Sequence, residues 1–301
     1  MKKFIYILFV CTLCISGCVP QKDTTPPVLE LSKKCILVNI NDKIDYTSYI
    51  KEASDNKVED LLDRVKYNSI DTTYKGKQVI TYTLQDESGN EIKKNLTVHI
   101  VPFYANKIYN PKDVEAEVVN NPDDVTVLIN KLHELPHDYK PNDLEQMVDS
   151  RFRYLRKEAN DAYTKFYNAA KAKGISIYTI SSYREPEKQV EYWNNQVKVR
   201  GEEYASQYSA YPRHSEHELG LSVDVSYKQN GDCLSISVED SELGKFIISD
   251  GYKYGFILRY PKDKVEVTNY AYEPWHIRYV GVELATELHE KQMTLEEYYG
   301  E

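Results

Sequence analysis

The clearest pattern in the chain is a two-residue alternation. Over residues 78–85, Ile80, Tyr82 and Leu84 fall on one side with Thr81 and Thr83 on the other, and over 92–101 Leu96, Val98 and Ile100 alternate in the same way. Side chains of a strand point to opposite faces with period two, so each run predicts a strand with one buried face. Asp86-Glu87-Ser88-Gly89-Asn90 between them has turn chemistry and predicts a hairpin. Strand-like runs over 35–40 and 65–68 extend this to about 75 residues of short strands without a comparable helical period, which predicts a small antiparallel β-sandwich.

Beyond Val101 the pattern changes. Residues 102–141 have little periodicity and carry Pro102, Pro111, Pro122, Pro136 and Pro141, predicting a connecting region that wraps onto the C-terminal half of the chain. Leu144, Val148, Phe152, Leu155, Ala159, Ala162, Phe166 and Ala170 then recur at three- and four-residue steps before Gly174. That spacing predicts one long amphipathic helix with a glycine stop. Strands are expected over 175–181, 221–226, 256–260 and 275–280, and helices over 186–199, 241–254 and 282–299. Helices and strands interleaved around short antiparallel runs define an α+β half.

Composition narrows the function classes. With 41% hydrophobic and 12% aromatic residues and few Gly or Pro, the 301-residue chain is neither disordered nor a low-complexity linker. A net charge of -9 argues against a nucleic-acid partner, which would be held mainly by Lys and Arg on its phosphates. Lys2 and Lys3, an apolar run from Phe4 to Ile15 and the small residues Ser16 and Gly17 read as a secretory signal, too short for an ordinary spanning helix. Of five Cys, Cys11 and Cys14 lie in that signal and Cys35 with Cys233 form no disulfide framework, so the fold must rely on its core.

Two segments carry chemistry. In Arg213-His214-Ser215-Glu216-His217-Glu218-Leu219-Gly220-Leu221-Ser222-Val223-Asp224, the strand buries Leu221 and Val223 and presents Asp224 on its other face. Gly220 allows a turn that brings His217 back over that face, and an imidazole converging with a carboxylate suits zinc. In Glu273-Pro274-Trp275-His276-Ile277-Arg278-Tyr279, Trp275, Ile277 and Tyr279 share one face, and His276 with Arg278 the other. His276 would complete a three-ligand site with an open fourth position, the catalytic form of a zinc site. Glu273, not needed as a ligand, is then available as general base.

The joint pattern "SEHELGLSVD" followed by "EPWHIRY" resembles the Ser-x-His-x-x-Gly-x-x-x-Asp and Glu-x-x-His signatures of zinc peptidases grouped with lysostaphin, D-Ala-D-Ala peptidases and hedgehog domains. Within that group "INKLHELPHDYKPNDL", "SSYREPEKQ", "YGFILRYP" and "YAYEPWHIRYVG" resemble the VanY-type D-alanyl-D-alanine carboxypeptidases. The resemblance implies zinc ligands His217, Asp224 and His276, one zinc per domain, Glu273 as base, Arg184 on the substrate, and Gln189 and Ser215 lining the same cleft. Ser182, Glu185 and Ser222 depart from the residues usual there, and Glu185 bears on subsite preference. Ile15-Ser16-Gly17-Cys18 resembles the lipobox of bacterial lipoproteins, implying lipidation of Cys18 and attachment to the outer face of a Gram-positive-like cytoplasmic membrane. The Pro26-Pro27 start and "YTLQDESGN" resemble bacterial immunoglobulin-like domains.

The expected organisation is therefore a signal over 1–17, a tether over 18–27, an immunoglobulin-like sandwich over 28–101, a linker over 102–124 and an α+β peptidase with a central antiparallel sheet over 125–301. The expected activity is removal of the terminal D-Ala from peptidoglycan stem peptides by a monomer. An L,D-carboxypeptidase on tetrapeptide stems, an endopeptidase with a more open cleft, and a wall-binding lipoprotein with an inactive peptidase half are the alternatives.

Overall fold

The structure is a computed structural model that describes residues 23–56, 58, 60–104, 107–230 and 233–301; the signal and Cys18 lie outside the described residues. Six strands come first: β1 (Val28–Leu31), β2 (Cys35–Asn39), β3 (Ile50–Ser54), β4 (Lys66–Tyr67), β5 (Gly76–Gln85) and β6 (Glu91–Val101). β5 and β6 form the hairpin that the alternation predicts, paired without a break from Gly76↔Ile100 to Gln85↔Glu91. Its turn is closed by Asp86, whose carboxylate accepts the backbone N–H groups of Ser88 and Asn90, both at 2.8 Å. The four-stranded sheet runs β2-β6-β5-β4, and β1 with β3 forms a second, two-stranded sheet. Leu29, Val38, Ala53, Ile80, Tyr82, Leu84, Leu96, Val98 and Ile100 from both sheets fill one core.

One expectation is corrected here. β2 lies parallel to β6, so the unit is not purely antiparallel. The chain leaves β2 through β3 and β4 before entering the β5–β6 hairpin, and that long crossover is what a parallel pairing requires.

The segment after Val101 is tied to both sides. Ile108 and Tyr109 are buried, and β7 (Glu117–Val118) pairs in parallel with β8 (His133–Glu134). Lys75 and Lys77 of β5's side meet Asp113 and Glu117 at 2.8 and 2.6 Å, exposed pairs that add little stability each.

The second core is built on a four-stranded sheet of order β11-β12-β14-β13, antiparallel throughout, preceded by β9 (Leu144–Gln146), β10 (Tyr154–Arg156) and α1 (Lys157–Ala172). Its strands are β11 (Tyr178–Ser181), β12 (Ser222–Ser226), β13 (Phe256–Leu258) and β14 (His276–Tyr279). Helices α2 (Pro186–Arg200), α3 (Glu202–Tyr208), α4 (Glu242–Asp250), α5 (Val265–Thr268), α6 (Val282–Lys291) and α7 (Leu295–Tyr299) surround them. Ala159, Tyr163, Phe166 and Ala170 of α1 pack on Val223, Val225, Phe246, Phe256 and Ile277. Among the described residues no helix is long and apolar enough to cross a membrane.

The expected long helix starts only at Lys157 and not near Leu144. Leu144 and Leu155 sit in the β9–β10 hairpin, and Phe152, assigned to the apolar face, is 88% exposed. Asp143 pins the change of direction: its carboxylate accepts from Arg156 Nε at 3.0 Å and its carbonyl from the Lys157 N–H at 2.8 Å. The expected helix over 282–299 is likewise broken, because Gln292 adopts a left-handed φ of 53° and Thr294 starts α7 with a capping box to Glu297.

Helix α4 provides a test of packing. A Cβ on Gly244 would stand 2.1 Å from the Val238 carbonyl oxygen and 2.8 Å from that of Glu239. Both are backbone atoms that cannot swing away, so Gly244→Ala is expected to destabilise the protein by about 1–3 kcal/mol in urea unfolding. An unchanged midpoint would show that α4 shifts freely on its support.

Candidate metal centre and substrate cleft

The register of the sheet builds the site. β12 and β14 are neighbours with Asp224 directly opposite His276. Alternation along β14 sends Ile277 and Tyr279 into the core and leaves His276 and Arg278 on the opposite face. His217 comes from the turn before β12, where Gly220 has φ +68° and a Cβ would press on Leu144 and Arg156 at 3.1 and 3.2 Å.

The three side chains converge. His217 Nε2 is 3.2 Å from Asp224 Oδ2, and His276 Nδ1 is 2.9 Å from Asp224 Oδ1. One ligand atom from each lies within 4.8 Å of the others, and all three residues are buried. Glu273 Oε2 stands 3.9 Å from His276 Nδ1, outside that trio but beside it.

The donor set fits a divalent cation. His217 Nδ1 faces the Ser182 carbonyl oxygen at 2.8 Å, so it carries the proton and Nε2 presents a lone pair inward. His276 Nε2 faces Glu216 Oε2 at 3.2 Å, which leaves Nδ1 for the inner side. Each imidazole thus has its outer nitrogen held by an oxygen acceptor, the arrangement that orients metal-ligating histidines. Without a cation the site must hold a proton instead. Burial opposes charging His276, yet the Asp224 and Glu216 carboxylates carry it up to about 10. Asp224 is held well below the usual carboxylate range, the two histidines outweighing its burial. Burial, helped by Asp224 and Glu216, pushes Glu273 up to about 8 against the pull of His276.

Behind His276 lies a buried ionic cluster. Glu216 Oε1 accepts from Arg259 Nε at 2.7 Å and from Arg278 Nη1 at 2.8 Å. Arg259 also forks onto Glu296, with bonds of 2.8 and 2.6 Å. Despite burial, the two guanidinium groups hold Glu216 well below the carboxylate range.

In front of the trio opens a cavity of about 600 Å³, bordered by Arg184, Tyr192, Ser215, Glu273 and Trp275 among others. Arg184 donates from Nη1 to Gln189 Oε1 at 2.7 Å and from Nη2 to Ser181 Oγ at 3.0 Å, and its guanidinium lies 4.5 Å from the Tyr192 ring centre. Ser215 borders the cavity, its Oγ accepting the His217 N–H at 3.3 Å.

Two expectations are corrected. Gln189 is fully buried and does not line the cleft; its amide bridges Arg184 and the Ala210 carbonyl, 2.7 Å on each side. It therefore orients the arginine rather than meeting a substrate. Trp275 precedes β14 and borders the cavity instead of joining Ile277 and Tyr279 in the core. Sequence reasoning also missed Glu216, Arg259 and Tyr192. His214 faces the Asn130 carbonyl and Glu134 and takes no part in lining the cleft.

Two imidazoles and two carboxylates at the floor of a cleft, on an antiparallel sheet between helices, define a hydrolase acting on peptide bonds, and comparison with known proteins agrees. The family model described as VanY, D-alanyl-D-alanine carboxypeptidase, matches residues 151–282. YodJ of Bacillus subtilis is 37% identical over 238 residues, 76% of this chain and 85% of that protein. The solved LdcB LD-carboxypeptidase is 40% identical with a TM-score of 0.56, covering 61% of this chain and 89% of its own. A variant of the vancomycin-resistance D,D-pentapeptidase VanY in complex with Zn(II) is 32% identical with a TM-score of 0.51, covering 58% and 98%. The chain belongs to the VanY D-alanyl-D-alanine carboxypeptidase family.

Proposed function

We propose that the protein is a zinc-dependent D,D-carboxypeptidase that removes the terminal D-Ala from peptidoglycan stem peptides outside the cell. The observation that carries this reading is the convergence of His217, Asp224 and His276, with Glu273 beside them and Arg184 across the same cavity. His217 Nε2, an Asp224 oxygen and His276 Nδ1 would hold the ion. When bound, zinc supplies Lewis acidity that makes water nucleophilic near neutral pH and polarises the scissile carbonyl. Glu273 takes the water proton and returns it to the departing amine of D-Ala. Arg184, held by Gln189 and Ser181, offers its remaining donors to the substrate's terminal carboxylate or to the developing oxyanion. Ser215 braces the His217 turn at the cleft wall. The first 101 residues fit this setting as a signal, a lipid anchor on Cys18 and an immunoglobulin-like spacer, holding a monomeric enzyme at the outer face of the membrane.

A second reading has a specific observation behind it. LdcB, an LD-carboxypeptidase, is as similar in fold as the D,D-enzyme, so tetrapeptide stems are the competing substrate. Purified protein incubated with defined stem peptides of five and four residues is expected to release D-Ala from the pentapeptide. A chelator should abolish the release and added zinc restore it. Release from the tetrapeptide alone would assign the L,D-reaction, and release from neither would reject both.

A further inference from the structure

The cleft continues well beyond the metal ligands, along one ridge of α2. Tyr192, Gln196 and Arg200 follow at four-residue steps and border the same cavity. Eight residues of helix place Arg200 about 12 Å from Tyr192, the length of about three to four extended peptide residues. Arg184 lies on Tyr192, so the ridge starts at the catalytic corner.

Charge is divided along this length. The acidic residues that border the cavity, Glu216, Asp224 and Glu273, all belong to the metal end, while Arg200 is the cation at the other. Arg200 is also held in place. Its Nη1 donates to Tyr204 OH at 2.8 Å, its guanidinium lies 4.8 Å from the Tyr204 ring centre, and Tyr204 stacks on Tyr208 at 4.7 Å. That bond uses one of five guanidinium donors. The adjacent Glu202 is engaged by Lys112 at 2.5 Å.

On the reading that Glu273 and Arg184 act at a peptide C-terminus, a single residue lies beyond the scissile bond. The rest of the cavity then receives the upstream part of the substrate. We propose that Arg200 is a specificity residue that binds a carboxylate carried about three to four residues upstream of the substrate's C-terminus, with Tyr204 and Tyr208 as the wall of that subsite. In a stem peptide this group is the free α-carboxyl of the γ-linked glutamate, and its carboxamide would lose the interaction. A cation in the last turn of a helix also complements the helix dipole, a role indifferent to the substrate, and the two are separable.

The test uses full-length, zinc-loaded protein and two pentapeptides that differ only in acid or carboxamide at that glutamate. Wild type is expected to show a kcat/KM about fivefold higher on the acid, the size of one solvent-open guanidinium–carboxylate contact, mostly through KM. Arg200→Gln should bring the ratio to about one, and Arg200→Glu should invert it. Equal rates on both peptides, or a preference that survives Arg200→Gln, overturns the inference and leaves the carboxypeptidase reading intact. If wild type cleaves neither peptide, that reading fails and the inference falls with it.

Discussion

Glu273→Gln protein is expected to hydrolyse stem peptides about 10²–10⁴-fold more slowly than wild type while binding the same amount of zinc. The substitution keeps the size of the side chain and the backbone bonds around it, the Glu273 N–H to the Tyr260 carbonyl and the His276 N–H to the Glu273 carbonyl. What it removes is a carboxylate able to take a proton. Glu273 lies 3.9 Å from His276 Nδ1, close enough to serve a water held between it and the trio, yet outside the group of converging ligand atoms. Steady-state kinetics with a metal determination on the same preparation decides the matter. Retained activity would move the base elsewhere, and lost zinc would make Glu273 a ligand.

Two of the trio, Asp224 and His276, were legible because strand alternation is a strict rule. Once Leu221, Val223 and Val225 are placed in a core, Asp224 must face the other way, and the same holds for His276 against Ile277; the structure pairs the two strands with those residues opposite. The β5–β6 hairpin was legible for the same reason, one face being apolar and the other rich in Thr and Lys. Elements that depend on tertiary contacts were not. Leu155 has helical spacing relative to α1 but reaches its core from the β9–β10 hairpin, while Phe152 at the same spacing stays exposed, because hydrophobic spacing alone does not say which backbone carries a residue. β1 and β3 are short, with Glu30, Lys51 and Glu52 facing solvent, so neither shows an apolar run. Gln189 differs again. Its sequence position agreed with a cleft residue, but a side chain on a helix can serve a cleft by holding another residue from behind, and only the bond from Arg184 reveals it.

Glu216 had no signal in the sequence, where it is one acid among the alternating charges of Ser215-Glu216-His217-Glu218, and it carries the second large expectation. Glu216→Gln should destabilise the protein by about 3–5 kcal/mol, because one partner of a buried ionic cluster is removed and the others cannot reach water. The loss falls unevenly on the two arginines. Arg259 keeps its fork to Glu296, whereas Arg278 retains only the carbonyls of Tyr279, Val125 and Val127 and has no carboxylate left among these partners. Zinc affinity should fall as well, by about 10–100-fold, since the carboxylate that holds His276 Nε2 is gone. Glu296→Gln separates the two effects. It also strips a carboxylate from Arg259, but it leaves the Glu216–His276 contact in place, so it should lower stability without changing zinc affinity. Denaturant unfolding of both variants, paired with zinc competition against a chromophoric chelator, reads each quantity separately. Equal zinc affinities in the two variants would reduce Glu216 to a packing role, and an unshifted unfolding midpoint in Glu216→Gln would show that Arg278 finds water or another partner when its carboxylate is removed.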